Sequence, residues 1–155
     1  MRLWVVLLLA VSTVSLSPKT DNDPFDYSSF KTYYELNDSV QSNLKGKTVL
    51  IEFWATWCLP CRVKNGELNQ TYSEFGNDHF EIISVALDTD SATWKKAIKN
   101  DRIQWSTTVM DTNKLNRPFL KKAEIYYLPN NILVDSTGTV IGRELSIDDL
   151  EKALK

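Results

Sequence analysis

Val49-Leu50-Ile51-Glu52-Phe53-Trp54-Ala55-Thr56-Trp57-Cys58-Leu59-Pro60-Cys61-Arg62 is the stretch on which the reading of this chain turns. Its first six residues are β-formers and almost all apolar, the pattern of a strand buried on both faces. Glu52 is the anomaly within it. Cys61 to Phe75 then reads as a helix, with Leu68, Tyr72 and Phe75 at i, i+4 and i+7. The pair Cys58 and Cys61 therefore falls where a strand hands over to a helix. Free amides and the helix dipole stabilise an anion there, so Cys58 should ionise more readily than a free cysteine, whose pKa is about 8.5. Two intervening residues bring the second sulfur within bonding reach, so Cys58 can attack a disulfide and Cys61 can resolve the mixed disulfide. Pro60 fits early in a helix, where a missing N–H costs nothing. A purely structural bridge closing so small a loop would remove little chain entropy. With one His and two Cys in the chain, the other half of a zinc site is missing. Redox chemistry is the expectation, with no metal and no cofactor.

Outward from this stretch, strands and helices alternate. Phe80 to Leu87 reads as a second buried strand, Ser91 to Lys99 as a short helix and Trp105 to Met110 as a strand. Pro118 to Glu124 reads as a short helix. Asn131–Val134 and Thr139–Arg143 form a hairpin across the turn-rich Asp135-Ser136-Thr137-Gly138. Ser146 to Leu154 closes as a helix, with Ser146 and Asp149 resembling a capping box. Phe30 to Leu44 is expected to hold a short edge hairpin, turning at Asn37-Asp38. The order argues an α/β sandwich around a mixed sheet.

The chain's 155 residues suit one domain. Residues 1–15 read as a signal peptide: Arg2, the apolar run Leu3 to Val11, and small residues at Thr13 and Ser15 before a cut after Ser15. The other reading is an uncleaved anchor, although a spanning helix needs about 20 apolar residues. Residues 16–29, polar and holding Pro18 and Pro24, read as a linker or loosely docked arm, and 30–155 as the domain. An exported, oxidising compartment follows, periplasmic or otherwise extracytoplasmic. Eighteen basic against twenty acidic residues, net −2, argue against nucleic acid as partner.

The segment Glu52 to Arg62 resembles the active-site motif of the thioredoxin superfamily. It is most similar to exported TlpA/ResA-like thiol-disulfide oxidoreductases, whose motif reads F-W-A-T-W-C-x-P-C-[RK]. Leu44-Lys45-Gly46-Lys47 and Leu128-Pro129 followed by Ile132-Leu133-Val134-Asp135 and Gly138 extend the likeness from Phe30 to Lys155. The resemblance implies a thioredoxin fold with a strand–helix insertion at Ala86 to Met110. It also implies Cys58 as nucleophile, Cys61 as resolving thiol and a redox disulfide between them. Pro129 would be cis and face that disulfide, with Leu128 beside it. Glu52 would be a buried acid behind Cys61, moving protons near neutral pH; the residues alone also allow a solvent-reaching glutamate. The sequence departs from the family at Gly66, where a kinking proline is usual, and at Leu59, Leu128 and Asn130.

Trp57, next to the nucleophile, is a candidate apolar contact for a client chain; Trp54, Trp94 and Trp105 read as packing. His79 reads as a surface residue, and Asp88 with Asp90 as a solvated turn. The expected function is reduction of disulfides in client proteins by a monomer fed from a membrane thiol donor, with cytochrome c maturation the family's best-known use. The competing readings are a disulfide oxidase or isomerase, a peroxiredoxin-type peroxidase, and a non-catalytic binding module. Glu52 stands where the peroxidase motif would place proline.

Overall fold

A computed structural model describes residues 23, 25–76, 79–113 and 117–155. The expected leader at 1–15, and the linker as far as residue 22, lie outside the described residues. Thr48–Trp54 forms β1, and every residue after Thr48 is buried because the strand is central. Phe80–Ala86 (β2) pairs with it in parallel, and Asn130–Val134 (β4) pairs antiparallel on its other side. Thr107–Met110 (β3) extends the parallel half beyond β2, and Val140–Arg143 (β5) forms the hairpin with β4. The sheet is thus mixed, in the order β3-β2-β1-β4-β5.

Alternation along β1 sends its side chains to two faces. Val49, Ile51 and Phe53 join Phe30, Leu44, Leu120 and Ile125 on one face. Helices α1 (Tyr27–Tyr33), α2 (Asp38–Leu44) and α5 (Pro118–Lys122) cover it. Leu50 packs with Leu68, Trp105, Leu133 and Leu150 on the other face, under α3 (Leu59–Phe75) and α6 (Ile147–Leu154). Trp54 leads that second face into a cluster holding both cysteines, Ala86 and Ala97 of α4 (Ser91–Asp101). Ser146 caps α6, accepting from Asp149 N at 3.2 Å and donating to its carboxylate at 2.7 Å.

One expectation is corrected. Residues 30–44 form no hairpin: they hold the end of α1, a short connection and all of α2. Phe30, Tyr33 and Tyr34 recur at helical spacing, and Phe30 is fully buried. Asp26 and Asn37 cap the two helices with their side chains, so the supposed turn residue Asn37 is an N-cap bonded to Val40 N. Residues just before Phe30 also make specific contacts with the domain. Arg143 donates to Asp23 through Nε at 2.8 Å, and buried Phe25 lies with its ring 5.7 Å from Phe30 and 6.0 Å from Phe119. Composition read this segment as a linker or a loosely docked arm; one carboxylate and one ring of it find specific partners. A smaller difference is at Trp105, which precedes β3; its indole N–H donates to the Ser84 hydroxyl.

At Gly66, where the related motif has proline, α3 continues without a break. A Cβ built there meets no atom within 4 Å. Gly66→Ala should therefore stabilise the protein by about 0.5–1 kcal/mol through the entropy of the unfolded chain. A urea midpoint raised without a change in slope would show it.

Candidate active site

Only Ala55 to Cys58 separate β1 from α3. Cys58 is the N-cap of α3, in extended backbone, and its sulfur accepts from Cys61 N at 3.3 Å. It therefore meets the unpaired amides of the first helical turn, where negative charge is favoured. Pro60 lies at the helix start. The two cysteines are joined, with a Cα–Cα distance of 5.3 Å. Cys61 is wholly buried, whereas Cys58 keeps 6% exposure. Exposure here is carried by the apolar neighbours Trp57 at 62% and Leu59 at 75%, with Val63 one turn further along.

The Leu128–Pro129 peptide bond is cis. Pro129 shares a cleft of about 560 Å³ with Pro60, Val63, Lys64, Glu67 and Ile147. Leu128 packs against the cluster that holds the disulfide. Exposed Tyr126 and Tyr127 precede it. The fold thus brings Leu128 to the cluster that holds the disulfide and Pro129 to the cleft it shares with Pro60, from the far part of the sequence. Trp57 does not line the cleft.

Glu52 lies on the α3-facing side of β1, between Leu50 and Trp54, and is completely buried. In the sheet it is flanked by Ser84 and Asn131. Lys64, three residues after Cys61 on the same helical face, places Nζ 3.8 Å from the carboxylate. That is ion-pair range but beyond a hydrogen bond, and neither carboxyl oxygen has a hydrogen-bond partner among the described residues. Burial pushes the Glu52 pKa up to about 8, with the Lys64 charge and the Asn131 amide opposing. Lys64 also donates to Leu145 O at 3.3 Å, next to the loop that walls the cleft.

Asp88 corrects the expectation of a solvated turn. It is 4% exposed and accepts from Thr56 N at 3.0 Å and from the Thr56 hydroxyl at 2.6 Å. The chain past β2 stays bonded to β1, with Leu87 N donating to Trp54 O at 2.8 Å, and this delivers Asp88 to the turn. Asp90 is the N-cap of α4. The available signal was topological: residues just past the carboxyl ends of adjacent parallel strands meet. Lys64 carried no such signal. His79 is exposed just before β2.

A family model described as thioredoxin-like matches residues 46–140. The thiol-disulfide oxidoreductase ResA of Bacillus thuringiensis subsp. konkukian is 28% identical over 116 residues, covering 73% of this chain. The chain spans 65% of the length of that relative. Among solved structures, a thiol-disulfide oxidoreductase from Bacteroides fragilis is 33% identical with a TM-score of 0.67, covering 72% of this chain and 82% of that one. The thioredoxin domain of a thiol-disulfide oxidoreductase from Bacteroides vulgatus is 34% identical with a TM-score of 0.66, covering 74% of this chain and 84% of that one.

Proposed function

The chain belongs to the thioredoxin-like family, and from that premise we propose that it is an exported thiol-disulfide oxidoreductase that reduces disulfides of client proteins. The observation that carries this reading is the unequal pair at the start of α3, with Cys58 at the helix N-terminus keeping 6% exposure and Cys61 keeping none. In the reduced protein the Cys58 thiolate attacks one sulfur of a client disulfide. A Cys58–client disulfide forms and the client's other sulfur leaves as thiolate. Cys61 then loses its proton to Glu52 and attacks the Cys58 sulfur. The second client thiolate leaves, and the Cys58–Cys61 disulfide remains. The client has gained two electrons. A dithiol donor, proposed to be membrane-bound, returns them by the reverse exchange. Trp57, Leu128 and Pro129 contact the client chain. Cytochrome c maturation is the use proposed first, in a periplasmic or similar extracytoplasmic setting.

Pro60 before the second cysteine resembles the reducing members and sets the direction proposed. The reduction potential tests it. Equilibration with dithiothreitol or glutathione buffers should give a value far below the about −120 mV of strongly oxidising family members. A value near that figure would replace the reductase with an oxidase. A disulfide that resists mild reductant would favour a binding module instead.

A further inference from the structure

We infer that Asp88 is a positioning residue for Cys58, acting through Thr56, and that the segment from Asp88 to Asp101 is a brace for the turn that carries the nucleophile. The inference rests on the proposed role of Cys58 as the attacking sulfur. Thr56 is held at three atoms. Its N–H and hydroxyl both donate to the Asp88 carboxylate, at 3.0 and 2.6 Å. Its carbonyl accepts from Arg62 Nη1 at 3.4 Å. Arg62 in turn forks onto Asp101 through Nε and Nη2. Asp101 also accepts from the Asn65 side chain at 2.9 Å, and its carbonyl accepts from Asn69 at 2.7 Å.

Asp88 stands two residues before the N-cap of α4, and Asp101 is the last residue of that helix. The two ends of the α4 segment therefore grip the redox turn and the first turns of α3 from one side. Only Trp57 lies between Thr56 and Cys58. Fixing both peptide groups of Thr56 fixes the path by which Cys58 reaches its N-cap position, where its sulfur faces the helix amides. Asp88 is almost wholly buried, so its charge has no alternative solvation and the Thr56 bonds are charge-assisted.

Position and charge predict opposite signs. The charged groups around the turn are Asp88, Arg62 and Asp101, with Glu52 beneath α3 and Lys64 on it. Removing a buried negative charge near the nucleophile would by itself favour the thiolate and speed its reaction. Loosening the turn would cost the thiolate its helix amides and slow it. The test is iodoacetamide alkylation of the reduced full-length protein, with site mapping, across pH. In Asp88→Ala the rate at Cys58 at neutral pH should fall about fivefold, and its pKa should rise. Thr56→Ala, which leaves every charge in place, should slow it about twofold, and Thr56→Ser should restore the wild-type rate. Faster alkylation of Asp88→Ala would overturn the inference in favour of a charge effect. Unchanged Cys58 pKa in both Asp88→Ala and Thr56→Ala would leave Asp88 as packing alone. Should Asp88→Ala fail to fold, the Thr56 pair decides. If wild-type protein is alkylated first at Cys61, the nucleophile assignment itself falls, an outcome distinct from these.

Discussion

Cys61→Ser will accumulate as a mixed disulfide between Cys58 and client chains, while Cys58→Ala will lose turnover entirely. The reason is geometric. Cys58 alone of the pair has exposure and sits at the helix N-terminus, so the first attack needs only that sulfur. The second step needs Cys61, whose removal leaves the adduct with no internal thiol to displace it. Non-reducing electrophoresis of Cys61→Ser after exposure to a disulfide-bearing protein should show a band that dithiothreitol abolishes, with mass spectrometry placing the link at Cys58. Absence of any adduct, or turnover surviving in Cys58→Ala, would remove the pair from the proposed chemistry.

The second large effect belongs to Glu52. Glu52→Gln should slow decay of the mixed disulfide by about 10²-fold near neutral pH, the usual scale of a lost general base, while its formation changes little. Stopped-flow records of the two phases separate them. Stability supplies an independent readout, and its sign follows from linkage. The carboxyl pKa is about 8 in the folded protein against an ordinary value of 4.5. Between those values the native state binds more protons than the unfolded chain, so stability falls as pH rises from 4.5 through 8. Below 4.5 both states are protonated and the penalty is absent; above 8 it is complete. Glu52→Gln should lack this dependence and be the more stable protein at alkaline pH, even with Lys64 left unpaired, since Lys64 reaches partial solvent. Urea titrations across the range test it. A wild-type profile no steeper than that of the variant, with unchanged decay, would reduce Glu52 to packing.

What could be read in advance followed the reach of the physical signal. β1, α3, the β4–β5 hairpin and α6 announce themselves through periodicity, caps and turn residues that act within a few positions. Glu52 stood out because a carboxylate in an apolar strand is costly wherever that strand packs. The misreading at 30–44 arose because Phe30, Tyr33 and Tyr34 are strand formers by type but helical by spacing, and Asn37 serves a turn or a cap equally well. Asp88 was invisible for a different reason. Its partner Thr56 lies 32 residues away, and only the parallel pairing of β1 with β2 brings them together. Lys64 likewise gains meaning only once α3 lies across β1.

The unequal burial of the two sulfurs also constrains the order of events. Under the proposed function, with Cys61 sealed and Cys58 the sulfur that keeps exposure, electron donor and client use the same doorway beside exposed Trp57, Leu59 and Val63. They cannot occupy it together. Under the proposed function no ternary complex forms, each partner leaves before the next arrives, and turnover follows ping-pong kinetics. The protein's throughput then depends on the balance between donor and client as well as on the affinity of each.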